Sequence, residues 1–163
     1  MKPFKFIPGL LAALLSLIPI AEGNSAEAGK LDLAVECHCS DIVGNRLCAD
    51  FKDKVTASPG YQLAEGNTGY GIGVHFSCVD LWSGLEKGLA GQMSAVSVAF
   101  TIYSDKLPGE IYEDSSVFRV GKEATAEMSR KIIAAIGQLV AANETLFQHL
   151  REAKQKPLSS PSP

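Results

Sequence analysis

No apolar run in this chain is long enough to cross a bilayer, its basic residues gather nowhere into a stripe, and the short signatures of the common catalytic sites are missing. Each absence excludes something. A spanning helix takes roughly 20 apolar residues. The longest run here, Leu10 to Ala21, is shorter, is interrupted by Ser16 and Pro19, and is bounded by Pro8 and Gly9 before it and Glu22 after it. Nucleic-acid-binding surfaces need a concentration of Lys and Arg. The strongest local excess is Arg151, Lys154 and Lys156, and the net charge is −3, so nucleic acid is not an expected partner. There is no Gly-x-Ser-x-Gly elbow and no His-Glu-x-x-His, and no nucleophile and base stand out as a pair, which argues against an enzyme. Gly66, Gly69, Gly71 and Gly73 precede a strand, whereas a dinucleotide fingerprint follows a strand and opens a helix. No cofactor is expected.

What is present begins with a three-part N-terminus: Lys2 and Lys5, the apolar run, then small residues, the layout of a secretory signal peptide. Small residues at the −3 and −1 positions fit a cut after Gly23 or as late as Ala28. No cysteine follows the run closely, so no lipid anchor is expected at the new N-terminus. Removing residues 1–23 takes away Lys2, Lys5 and Glu22, which leaves 13 basic and 17 acidic residues and a mildly acidic remainder. The expectation is an exported protein, periplasmic or extracellular, with no membrane span after cleavage. Residues 29–154 are read as a single domain and 155–163, rich in Pro and Ser, as a disordered tail.

All four cysteines, Cys37, Cys39, Cys48 and Cys78, lie in the exported part, where an even count reads as disulfides. Three pairings exist. On a strand, Cys37 and Cys39 point to one side about 6.6–7 Å apart, at or past the limit of disulfide geometry, so they are not expected to pair with each other. The favoured reading joins Cys78 to Cys37 or Cys39 and gives Cys48 the other.

Leu31 to Cys39 alternates apolar and polar residues, the period of a half-buried strand. Ser40 or Asp41 then caps a helix in which Val43, Leu47, Cys48, Phe51 and Val55 recur until Ser58-Pro59-Gly60. Tyr61 to Glu65 and Ile72 to Leu81 read as two strands of a hairpin, Trp82 to Gln92 as a loop, and Ser94 to Tyr103 as the clearest strand. Pro108 and Gly109 mark a turn into a strand within Glu110 to Val120. From Lys122 to about Ala153 one long helix is predicted on Met128, Ile132, Ala135, Ile136, Leu139, Leu146 and Leu150. This order predicts an α+β two-layer sandwich, a mostly antiparallel sheet of four to five strands with two helices on one face.

Val43-Gly44-Asn45-Arg46-Leu47 on the helix, Ser58-Pro59-Gly60-Tyr61-Gln62-Leu63, and the strand Ser94-Ala95-Val96-Ser97-Val98-Ala99-Phe100 carry a resemblance to small exported bacterial proteins of unassigned function. In element order alone the chain resembles the N-terminal α/β domain of TolB-type periplasmic proteins. The likeness covers about residues 31–140 and implies compartment and layout, with no active-site residue to carry over.

Cys37-His38-Cys39 offers metal-ligand chemistry, but on a strand His38 points away from the two sulfurs and no second ligand pair completes a set. His38 and His75 both fall on the polar face and meet only if their strands are neighbours. His149 near a helix end suits the dipole, and Asn143-Glu144-Thr145 sits inside a helix as a chance sequon. Trp82 opens a mobile-looking glycine-rich loop and suits a contact anchor. With His38, His75 and Tyr103 it makes the expected contact surface, on a face where Glu36, Ser77, Ser97, Ala99 and Thr101 are small or polar. The functional expectation is an exported accessory domain that binds another envelope protein or itself, with a metal or small-molecule binding protein built on Cys37-His38-Cys39 as the alternative. Protein recovered from its native host is expected to show, by intact mass, the loss of residues 1–23 or 1–28; a mass retaining residues 1–28 would remove the export reading.

Overall fold

The computed structural model describes residues 29–64, 69–84 and 88–155. Residues 1–28, which hold the segment read as a signal peptide, the link through Gly66, residues 85–87 and those from 156 onward, read as a tail, lie outside the described residues. In chain order the elements are β1 (Leu31–Cys39), α1 (Ile42–Thr56), β2 (Tyr61–Leu63), β3 (Tyr70–Asp80), β4 (Met93–Ser104), β5 (Ile111–Gly121), α2 (Thr125–Ala142) and α3 (Glu144–Gln155). They form an α+β fold with one five-stranded sheet in the order β2-β1-β3-β4-β5. Among the described residues no helix is long and apolar enough to cross a membrane.

The sheet is mixed. Its two longest ladders, β3 with β4 and β4 with β5, are antiparallel. The expected hairpin of β2 and β3 does not form: β1 lies between them and runs parallel to both. A parallel connection normally needs a dozen or more residues, and α1 supplies one between β1 and β2. The β2 to β3 link manages with six because β2 is only three residues long. It ends level with Leu33, while β3 starts beside the beginning of β1, so little length has to be retraced.

Helix α1 starts where the sequence says it should. Asp41 is extended and its carboxylate accepts from the Gly44 N–H at 2.8 Å, a side-chain cap on an otherwise unpaired donor. The other carboxylate oxygen accepts from the Ser94 hydroxyl at 3.0 Å, which ties the helix start to β4. Val43, Leu47, Phe51 and Val55 then pack, fully buried, on Leu33, Ile72, Val74, Phe76, Val96 and Val98. Phe51 meets Phe76 with ring centroids 5.3 Å apart, a favoured tilted pair.

Two disulfides close this layer. Cys39 and Cys78 are direct register partners on β1 and β3, with Cα atoms 4.3 Å apart, and they are bonded. Cys37 is bonded to Cys48 of α1 across a Cα separation of 6.4 Å. Gly44 sits on Cys78: a Cβ there would collide with the Cys78 Cβ and crowd its sulfur, so the helix comes this close only because residue 44 has no side chain.

The long C-terminal helix is in fact two, and the described residues hold three helices rather than two. Asn143 interrupts the run, its side-chain amide donating to the Leu139 carbonyl at 3.1 Å beside its own backbone N–H. Such local bonds compete with continuation of the ladder. The break changes the buried phase: Phe147 becomes fully buried, whereas Leu146 and Leu150 stay at the margin of the core. Helix α2 packs on α1, with the Thr125 hydroxyl donating to Asp50 at 2.6 Å and Ser129 buried against the Leu47 carbonyl.

In the chain-entropy model, closing loops of 11 and 39 residues' separation stabilises by about 3 and about 4 kcal/mol. Against a net stability of about 5–15 kcal/mol for a domain, each is a large share. Replacing Cys39 and Cys78 together by Ala is expected to lower denaturant-measured stability by about 4 kcal/mol, and Cys37 with Cys48 by about 3. Equal, negligible losses would show that neither bond constrains the unfolded chain.

Candidate functional site

All three helices bury their apolar residues against one side of the sheet. Among the described residues no helix covers the other side, and the register gives its rows from β1 outward. One row is Gln62 of β2, Asp32, Gly71 and Tyr103; the next is Ala34, Gly73, Thr101 and Tyr112. Glu36, His75, Ala99 and Ser115 follow, then His38, Ser77, Ser97 and Val117, then Val79, Ala95 and Arg119. The middle of this surface is small side chains, and apolar groups stand at its far end, Val79 at 58% and Val117 at 76% exposure. An antiparallel sheet commonly leaves one face to water, but such a face normally carries few exposed large apolar groups together.

His38 and His75 do lie on neighbouring strands, and one carboxylate serves both. Glu36 Oε2 is 3.2 Å from His75 Nδ1 and 3.7 Å from His38 Nε2. The opposite ring nitrogen of His75 is 3.0 Å from Glu110 Oε2 and 3.2 Å from Thr101 Oγ1. The ring thus lies between Glu36 on one side and Glu110 on the other. Gly73 makes the space: a Cβ there would run into the Thr101 hydroxyl and the His75 ring. Glu110 was not visible as a site residue in the sequence, where it reads only as the residue after the Pro108-Gly109 turn. Its arrival at His75 depends on that turn folding back along β4.

Thr101, His75 and Glu36 have the order of a hydroxyl, imidazole and carboxylate relay. The Thr101 hydroxyl donates to Glu110 at 2.6 Å, so its proton is directed away from the imidazole. Strand β4 is paired on both sides, to β3 and to β5.

Tyr103, expected as an exposed contact, has the expected face but is covered, at 2% exposure. Its cross-strand partner is Gly71, and the ring lies down over that glycine until its hydroxyl nears β1: a Cβ on Gly71 would strike both the Tyr103 hydroxyl and the Asp32 carbonyl oxygen. An aromatic ring covering a strand glycine is a recurrent way to fill that gap. Among the described residues the hydroxyl has no hydrogen-bond partner. Burial, then the charges of Asp32 and Glu110, push its pKa up to about 12.

Beyond the C-terminal ends of β1 and β3, at the start of α1, an open cleft of about 460 Å³ is lined by Ser40, Asp41, Ile42, Val79, Asp80, Ser83, Ala90 and Gly91. Its carboxylates are used internally. Asp41 caps α1, and Asp80 accepts from the Trp82 and Gly91 N–H groups at 2.9 and 2.7 Å, shaping the loop. Trp82 is half-buried beside it and His149 is exposed on α3. Cys37 and Cys39 are held in disulfides and present no thiolate to a metal. Among the described residues no three His, Cys, Asp or Glu side chains converge as a metal site.

No protein-family model matches the chain, and no curated protein matches it.

The Tyr103 pKa is raised from 10.0 to about 12 in the folded state. Between those values the folded chain keeps a proton that the unfolded chain has lost, so stability is fully present below pH 10 and falls as pH rises through the window. Tyr103→Phe is expected to flatten that fall and, at neutral pH, to leave stability unchanged or raise it by on the order of 1 kcal/mol, since it removes a buried unpaired hydroxyl. Chemical denaturation at several pH values checks both; a clear loss at neutral pH would mean that the hydroxyl is bonded.

Proposed function

We propose that this protein is an exported accessory domain, stapled by two disulfides, that works by binding another protein of the envelope or extracellular space through its helix-free sheet face, and is not an enzyme. The observation that carries the reading is the composition of that face: small side chains across its centre permit close approach of a partner backbone, and Val79 and Val117 stand exposed where the rows end. The Glu36, His75 and Glu110 strap supports it by holding β1, β3 and the β4–β5 turn in one surface, so little ordering remains to be done on binding. Export is supported by the N-terminal sequence pattern and by the pairing of all four cysteines, which an oxidising compartment allows.

Photo-crosslinking in the native host tests this directly. A crosslinking residue at Ser97, in the centre of the face, is expected to give a discrete adduct with a second polypeptide. The same residue at Asn45, exposed on α1, is expected to give none. Ser97→Arg should abolish co-purification of that partner while leaving the thermal midpoint within a few degrees, because the position is not in the core. Adducts from Asn45 and Ser97 alike, or from neither, would defeat the proposal.

A further inference from the structure

A buried hydroxyl without a partner destabilises a fold, yet this one keeps such a group at Tyr103, where a phenylalanine ring would fill the same gap over Gly71. Because no helix among the described residues lies on this side of the sheet, the hydroxyl is shielded by the side chains around it. Carboxylates stand on both sides. Asp32 of β1 is in the same cross-strand row, and Glu110 precedes Ile111, whose partner Ile102 precedes Tyr103. Burial first, then the charges of these two, raise the Tyr103 pKa. Asp32 already takes a donor from outside its own strand: the Gln62 side-chain amide donates to its Oδ1 at 2.6 Å, in an exposed bond. The face is polarised along its length. Glu36 lies two rows further along β1, whereas the one Lys or Arg that the described strands place on this face, Arg119, is at the far end beside Ala95. Lys106 is in the turn between β4 and β5, outside the strands.

We propose that this end of the open face receives a cationic side chain, lysine or arginine, of the partner, whose N–H groups donate to Asp32, to Glu110 and to the Tyr103 hydroxyl oxygen. The inference rests on the face-binding reading above and gives that partner its chemistry, a basic segment. The Gln62 amide is the neutral stand-in for the arriving donor. A charged donor in its place makes a bond roughly twice as strong, and Gln62 is exposed, so it turns away without disturbing the sheet. A phenol both accepts and donates: with its oxygen taking the partner's N–H, its proton turns to a carboxylate, and the orphaned group is satisfied. An acidic segment would instead meet two like charges.

Fluorescence anisotropy of labelled tetralysine with the oxidised mature protein tests the contact, with labelled tetraglutamate as the control probe. Tetralysine is expected to bind, less tightly as salt is raised, and tetraglutamate not to bind. Asp32→Asn and Tyr103→Phe should each weaken tetralysine binding by about tenfold. Asp53→Asn, exposed on α1, should leave it unchanged. Tyr103→Phe separates binding from structure, because its loss of affinity comes with stability held or raised. Full affinity in Tyr103→Phe, equal losses from Asp32→Asn and Asp53→Asn, or no binding of tetralysine overturns the inference. In the host, Asp32→Asn should also remove the Ser97 adduct. An adduct that survives that substitution overturns the basic contact and leaves the face-binding reading standing. Tetralysine binding that depends on Asp32 and Tyr103, with no Ser97 adduct, supports the cation site and defeats the wider reading.

Discussion

The junction of β1 with α1 is the constraint from which the rest of the architecture follows. Within a dozen residues the chain finishes a strand, bonds Cys39 to the strand beside it, bonds Cys37 to the helix above it, and turns at Asp41 into that helix. Gly44 lets the first turn of α1 settle against Cys78, and Asp41 spends one oxygen on the helix and the other on Ser94 of β4. A buried carboxylate needs such partners to be tolerated. Here the partners belong to two different elements, so satisfying one charge also registers α1 to β4.

With α1 held on that side, the opposite flank of the helix takes α2, through Asp50 with Thr125 and through Ser129 under the Leu47 carbonyl. Helix α3 adds Phe147 to the same core. All the helical cover is then used on one face. The bare face is joined by cross-strand contacts, and its glycines matter: Gly71 receives the Tyr103 ring and Gly73 receives the His75, Thr101 and Glu110 group. A side chain at either position would displace the polar strap or the aromatic cover, so the smoothness of this surface depends on what is absent from β3.

Much of the helical face was legible beforehand. The residues Val43, Leu47, Cys48, Phe51 and Val55 keep a 3.6-residue period because one stripe of α1 must be dry, and all are buried. The alternation of Val96, Val98, Phe100 and Ile102 likewise marks the inner side of β4. Period reports which side of an element is wet, and that is all it reports. It could not tell that β2 joins β1 rather than β3, since three residues carry no pairing signal, nor that Asn143 would end α2, since the apolar period runs on past it. Tyr103 was given the right face and the wrong exposure, because cover came from the gap left by a glycine on the neighbouring strand. Glu110 gave no local sign of its role, which arises only from a turn that returns it to His75.

The sequence by itself determined the α+β class, the dry stripe of each main element, a cap at Ser40 or Asp41, and that Cys37 and Cys39 would find separate partners, because these depend on local spacing and on the reach of a side chain. Only the tertiary structure decided the strand order, which of Cys37 and Cys39 meets Cys48, the contact of two histidines with one carboxylate, and the bareness of one sheet face with a long edge beside it. Those are relations between residues far apart in the chain. They are set by how the helices share a single dry side of the sheet, a packing solution that no local pattern encodes.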